Sequence, residues 1–379
     1  MMLFHLMDQL NRAYNIPGFG AFEYITTRSA VAAVFALMIS LLIGKRLIGW
    51  LGNMQLRETI REDIGLDSHL SKASTPTMGG LILILAMAVP SLLWMDLTSV
   101  YTWMIVMVVV VLGMVGFVDD YIKVVKRNKS GLAGRFKVAG QVTVGLALGA
   151  VLYWWPDFKE FNTLTTVPFL KNVTIDYAVF GPEWSWLVYI PLVILVITAV
   201  SNAANLTDGL DGLATGTSAI AGVILGIFAY VSGRVDFSGF LDILYLPGAG
   251  ELTIFAASMI GACIGFLWYN THPASVFMGD TGSLALGGGL GALAIMIHKE
   301  LLLPVICGVF FVETLSVILQ TSWFKYTRRK YGEGRRIFLM APLHHHFEKQ
   351  GIPESKIVVR FWIVAIMLGI ISLLTLKLR

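Results

Sequence analysis

The 379-residue chain is 56% hydrophobic, only 14% charged, and has a formal net charge of +4. Soluble globular domains carry about a quarter charged residues, so this composition excludes a soluble enzyme and predicts an all-α integral membrane protein. No nucleic-acid partner is expected, and the length, which would suit two or three soluble domains, is read as one polytopic membrane domain over 1–379.

Residues 1–20 lack a basic segment followed by an apolar run and a small-residue cleavage site, so the first span is expected to act as an uncleaved insertion signal. Ten apolar runs then predict ten transmembrane helices at 27–44, 78–95, 100–118, 138–155, 186–204, 212–232, 252–270, 281–297, 301–324 and 358–376. The eighth is the weakest as a helix, because it contains Gly287, Gly288, Gly289 and Gly291. Small residues of this kind also suit close helix packing in a membrane. Segment 156–185, with short β-prone runs and Gly181-Pro182 near its end, is expected to form a small external hairpin. Cys263 and Cys307 lie inside apolar runs and read as packing residues.

Orientation follows from the basic residues. Loops after spans one, three, five, seven and nine hold nineteen lysines and arginines against eight on the other side. The positive-inside rule places those loops in the cytoplasm and both termini outside. Asp119 and Asp120 at the end of span three, Asp208 and Asp211 after span five, Asp280 before span eight, and His344, His345 and His346 in the last large polar loop therefore share the cytoplasmic face.

Carboxylates held together repel unless a cation or a proton joins them. Five aspartates at one mouth suggest a divalent metal, and all-oxygen ligation favours Mg²⁺, with Mn²⁺ as the alternative. Acids not used as ligands are free to act as base or nucleophile. Lys123, Arg135 and Lys137 suit phosphates, and the glycine-rich strings 205–212 and 279–283 offer backbone N–H groups to an anion or a base carbonyl. Each feature has a plainer reading. Asp119/Asp120 could be a helix-end pair solvated at the headgroups, Asp208, Asp211 and Asp280 could be turn or capping residues, and the histidines a solvated run. Convergence on one face favours chemistry. Glu313 and Gln320, two turns apart in span nine, are expected to pack or line a cavity. A cation-coupled transporter is a rival, but its acids would sit near the midplane, often within inverted repeats.

Five strings together resemble the polyprenyl-phosphate N-acetylhexosamine-1-phosphate transferase superfamily: 71–80 (SKASTPTMGG), 116–123 (GFVDDYIK), 205–212 (NLTDGLDG), 277–283 (FMGDTGS) and 341–348 (APLHHHFE). The aspartate strings mark the superfamily, whereas the histidine and Thr-Pro-Thr-Met-Gly-Gly strings resemble its muramoyl-pentapeptide branch. The sister branch, which transfers N-acetylglucosamine 1-phosphate, is the nearer rival.

The resemblance implies an enzyme of the bacterial inner membrane with a cytoplasmic cleft and Mg²⁺. It would transfer phospho-N-acetylmuramoyl-pentapeptide from its UDP carrier to undecaprenyl phosphate, releasing UMP, and would work as a homodimer in contact with membrane lipid. It also implies roles. Asp280, with Asp208, would bind the metal, and Asp119 and Asp120 would lie closest to the chemistry, one as base or as nucleophile. Asn205 and Asp208 would arrange the diphosphate, with Lys123 and Lys137 on its oxygens. Gly209, Leu210, Asp211, Asn270 and Phe277 would form the uridine pocket, with Lys72 and Thr77 on the nucleotide side. His344, His345 and His346 would sit near the sugar or phosphate. Covalent and direct-attack mechanisms both remain open.

Overall fold

The structure is a computed structural model, and it describes residues 3–53, 75–126, 128, 130–170, 173–181 and 183–377. The apolar runs form helices α1 (Leu3–Tyr14), α2 (Ile25–Asn53), α3 (Gly80–Trp94), α4 (Val100–Val124), α5 (Gly134–Trp154), α6 (Trp186–Thr207) and α7 (Leu213–Ser232). There follow α8 (Val235–Leu241), α9 (Leu252–Asn270), α10 (Gly279–Met296), α11 (Leu303–Ile306), α12 (Gly308–Tyr331), α13 (Leu343–Lys349) and α14 (Glu354–Leu374). Within segment 156–185, strands β1 (Leu164–Thr166) and β2 (Thr174–Asp176) pair antiparallel, with Leu164 opposite Asp176.

Among the described residues, seven helices are long and apolar enough to cross a membrane, and eight if a bent pair is one span. The seven are α2, α4, α5, α6, α7, α9 with its preceding turn, and α14. Helix α3 has 15 residues, about 22 Å at 1.5 Å per residue, which is short of a ~30 Å hydrocarbon core. Helix α10 is buried from Thr281 to Met296, packed against α4 and α6. Its glycines do not break it. They admit neighbours at close range, with Gly287 against Val200 and Ser201 and Gly288 against Leu112.

The expected span 301–324 is not one continuous helix. Residues Glu300–Ile306 and Gly308–Tyr331 meet at 82°. Cys307 leaves helical geometry (φ −96°, ψ 28°) between Pro304 and Gly308, so the chain restarts in a new direction. Helix α12 then runs past 324 to Tyr331, carrying Arg328, Arg329 and Lys330 in its last turn before Gly332 takes a left-handed φ of 80°. The polar 341–348 string is not a loop throughout, because Leu343–Lys349 forms α13.

Three contacts bring the polar helix ends together. Gly116 of α4 lies against the backbone carbonyl of Asp280, where a Cβ would collide with it, so α4 and α10 touch backbone to backbone. Segment 76–80 pairs with 277–278, the Phe277 N–H donating to Pro76 O (2.9 Å) and the Gly79 N–H to Phe277 O (2.9 Å). Gln141 of α5 donates to Ser201 Oγ of α6 (3.0 Å) and accepts from Asn202 (3.1 Å), fixing α5 one turn beyond Lys137. This buried amide–hydroxyl network replaces hydration that neither helix could find in an apolar bundle.

Candidate active site

Asp119 and Asp120 are adjacent on α4 but do different work. Both are buried, at 0% and 3% exposure, so neither is a solvated helix-end residue. Asp120 accepts the backbone N–H of Asp280 (3.1 Å), the N–H of Thr281 (2.9 Å) and the Thr281 hydroxyl (2.6 Å). It therefore caps α10 from another helix, satisfying donors that have no partner within α10 and placing negative charge at the positive end of its dipole. Gly279, at φ +70°, turns the chain into that cap, and a side chain there would meet Asp120 Oδ2.

Asp119 faces the other way. Its Oδ1 accepts the Leu132 N–H (2.7 Å), and its Oδ2 pairs with Lys123 Nζ (2.5 Å) and Lys137 Nζ (2.9 Å). The same two lysines reach Asp280 Oδ2, at 3.2 Å from Lys123 and 2.5 Å from Lys137. Asn205 Nδ2 donates to Asp280 Oδ1 (2.8 Å) and to Ser283 Oγ (2.9 Å). Each lysine thus bridges two carboxylates. Both ammonium-bearing side chains remain partly accessible, at 34% for Lys123 and 22% for Lys137.

Asp119, Asp120 and Asp280 each offer an oxygen within 4.8 Å of the others. This all-oxygen set suits a hard divalent cation. Three converging carboxylates outnumber the two lysines, so a bound cation or a shared proton is needed to relieve their repulsion.

Other expected site residues lie around this centre. Asp208 ends α6, its N–H bonded to Ala204 O and Asn205 O, and its carboxylate is not among the three that converge. Leu210 is buried in a small apolar cluster with Leu213, Val309, Ile357 and Phe361. Asn270 commits its side chain to the protein, accepting from Gly212 N–H (3.1 Å) and Thr215 Oγ1 (3.0 Å) and donating to Val276 O (3.0 Å). It braces the 209–212 loop against the 271–276 turn. Phe277 stays partly exposed on the short ladder with 76–80, and Thr77 is buried beside Gly279. Lys72 lies outside the described residues.

Asp211 gathers two residues that sequence reasoning missed. Its Oδ2 meets His272 Nδ1 (3.2 Å) and accepts the Ala274 N–H (3.0 Å), while its own N–H donates to Glu354 Oε1 (2.8 Å). His272 Nδ1 is also 3.3 Å from Glu354 Oε2. His272 and Glu354 are 82 residues apart in numbering and stand in no shared string, so only the packing of α14 on α7 shows the triad.

The three histidines take different partners, although the His344 and His345 rings lie in contact. His345 Nδ1 meets Glu348 (2.9 Å), and His346 uses both nitrogens on the Leu339 N–H (3.1 Å) and Gln350 (3.0 Å). His344 is fully buried beside Glu313, at 3.1 Å from Nδ1 to Oε2. Gln320 accepts the Ile337 and Phe338 N–H groups at 3.0 Å each, tying the return loop to α12.

Fold and site together define a polytopic α-helical membrane protein whose carboxylates, lysines and one asparagine converge at the ends of α4, α5, α6 and α10. The chain belongs to glycosyl transferase family 4, whose profile matches residues 102–298. That match contains the carboxylate–lysine centre and stops short of Glu313 and the histidines. Over its whole length the chain is similar to proteins named phospho-N-acetylmuramoyl-pentapeptide-transferase. It is 52% identical to that of Salinibacter ruber, 51% to that of Chloroherpeton thalassium and 50% to that of Flavobacterium psychrophilum, with 100% of each chain covered. The family expected from the five strings is borne out.

Proposed function

We propose that this protein transfers phospho-N-acetylmuramoyl-pentapeptide from UDP-N-acetylmuramoyl-pentapeptide to undecaprenyl phosphate, releasing UMP and forming the first lipid-linked peptidoglycan precursor. The observation that carries this is the pair Lys123 and Lys137 bridging Asp119 and Asp280, within a chain about half identical, end to end, to transferases of that name. Phosphoryl transfer depends mainly on positioning and on neutralising charge, and this cluster is built for both.

Asp280, with Asp119 beside it, would hold Mg²⁺, and Asp208 lies one turn from Asn205 to add a ligand through the substrate or water. The metal, when bound, supplies charge neutralisation at the diphosphate. The protein residues do the rest. Lys123 and Lys137 leave their carboxylates for phosphate oxygens. Asn205 holds the Asp280 carboxylate in register. Asp120, committed to the α10 cap, positions Asp280, which leaves Asp119 as the acid for the reacting centre, either accepting a proton from the lipid phosphate or attacking the phosphosugar. Gly209, Asp211 and Phe277 form the uridine side, with Leu210 packed into the apolar cluster and Asn270 bracing the loop.

In this reading the chain spans the inner membrane ten times. Helices α3 and α10 and the broken α11–α12 pair complete the set, the site faces the cytoplasm, both termini face outside, and the protein pairs as a homodimer. The support is the nineteen-to-eight excess of basic residues and the convergence of Asp119, Asp120, Lys123, Lys137, Asn205 and Asp280 at one end of the bundle. Lipid-product formation with UDP-N-acetylmuramoyl-pentapeptide, compared with UDP-N-acetylglucosamine, tests the donor. Turnover of the second donor alone would assign the chain to the sister activity.

A further inference from the structure

Glu313 is fully buried in α12 and bonds to a single residue of the histidine string. Its carboxylate accepts the His344 backbone N–H (3.2 Å to Oε1, 3.3 Å to Oε2) and lies 3.1 Å from His344 Nδ1. An acceptor-only carboxylate requires the proton on Nδ1, which selects one tautomer and leaves Nε2 as the ring atom for a ligand. Nε2 makes no hydrogen bond among the described residues, although it is buried. It points at Gly209, in the 205–212 loop, so closely that a side chain there would collide with it. A buried ring nitrogen left unpaired is unfavourable in a finished core. The neighbouring histidines show the contrast, since His346 spends both nitrogens within the protein.

We infer that Glu313 is a positioning residue that holds His344 in one tautomer with Nε2 turned to the 205–212 loop, where it meets a hydroxyl or phosphate oxygen of the bound donor. This rests on the transfer reading above. It goes beyond the expectation that Glu313 packs or lines a cavity, because a packing acid gives no reason for an unpaired Nε2. With Nδ1 committed, Nε2 accepts a hydroxyl proton from a neutral ring or donates to a phosphate oxygen from a charged one. Carboxylates that orient metal-bound histidines typically change affinity or activity about 10–100-fold when removed, which sets the scale expected here.

The test is a double-mutant cycle in the purified full chain, with folded protein counted by UMP titration and thermal melting. Glu313→Gln can still accept the backbone N–H but also permits the opposite tautomer. It should lower kcat about 10–100-fold while changing KM for the nucleotide donor less than about 3-fold. His344→Asn keeps a donor at the Nδ1 position for Glu313 and removes Nε2. It should melt like the wild type and lose at least as much kcat. In the His344→Asn background, Glu313→Gln should change kcat less than about 2-fold. Losses that multiply, a Glu313→Gln kcat within about 2-fold of wild type, or a fully active His344→Asn would each overturn the inference. If Glu313→Gln fails to fold, the His344→Asn result decides alone. Absence of turnover by the folded wild type would instead count against the transfer reading.

Discussion

Replacing Asp120 by Asn separates two jobs that the sequence of neighbouring aspartates does not distinguish. The carboxylate accepts two backbone N–H groups and one hydroxyl at the start of α10, at 3.1, 2.9 and 2.6 Å. Asn keeps the shape but offers one acceptor oxygen and turns an NH₂ toward a donor. In the better amide orientation the oxygen stays on Thr281 and the NH₂ faces the Asp280 N–H, so one bond is lost and the other two fall from charged to neutral strength. At about 1.5–3 kcal/mol for a hydrogen bond to a charged group, partly recovered by rearrangement, the expected loss is about 2–4 kcal/mol. The dipole of α10 adds about 0.3–1 kcal/mol to that loss. Asp119→Asn keeps an acceptor for the Leu132 N–H, leaves both lysines paired with Asp280 and relieves repulsion between neighbouring carboxylates, so its stability loss should be the smaller of the two although Asp119 is buried. Thermal unfolding in detergent, scored beside transfer activity, separates the two. Asp120→Asn should melt several degrees lower and be inactive, and Asp119→Asn should be inactive at a melting temperature nearer that of the wild type. If Asp120→Asn melts with the wild type, the cap account is wrong.

Three further outcomes follow from particular contacts. Gly116→Ala drives a methyl into the Asp280 carbonyl, and such overpacking should destabilise by about 1–3 kcal/mol and depress activity together, measured by melting and turnover. Arg28 donates bidentately to Glu251 (3.0 and 2.7 Å) and to Trp94 O (3.2 Å), so Arg28→Met should lower stability by about 3–5 kcal/mol, seen as an early melt, whereas Arg28→Met with Glu251→Gln should recover much of it. Burial holds the His298 imidazole down to about 4, so the fold keeps it neutral. The unfolded chain takes up a proton near its usual value of about 6.5, and stability should therefore be full above pH 6.5 and fall progressively as pH drops toward 4. His298→Asn, which tolerates the left-handed φ of 53°, should flatten that part of the melting-temperature profile, and an unchanged slope would refute the assignment.

The aspartate strings were legible because charges beside apolar runs are rare and their chemistry is narrow. Their division of labour was not, since Asp120 becomes a cap only when Gly116 lets α4 touch α10. The glycines of 287–291 weaken a helix on propensity and suit close packing, and the contacts of Gly287 and Gly288 bear out the second reading while only the neighbouring helices show which residues they meet. The break at Cys307 is local, yet hydropathy sums across it. Glu313 read as a packing acid because its partner His344 arrives 31 residues later, on a short helix that no apolar period announces. His272 and Glu354 carried no signal for the same reason: their meeting with Asp211 depends on where α14 docks.

The central claim is that the oxygen cluster on α4 and α10 holds a divalent cation for phosphosugar transfer. It is tested most directly by UMP release from UDP-N-acetylmuramoyl-pentapeptide and undecaprenyl phosphate, with Mg²⁺ and then with chelator, beside an Asp280→Asn control. The account predicts release with Mg²⁺, none with chelator, and none from a folded Asp280→Asn protein at any Mg²⁺ concentration. Undiminished release in chelator, or from the Asp280→Asn protein, would contradict it.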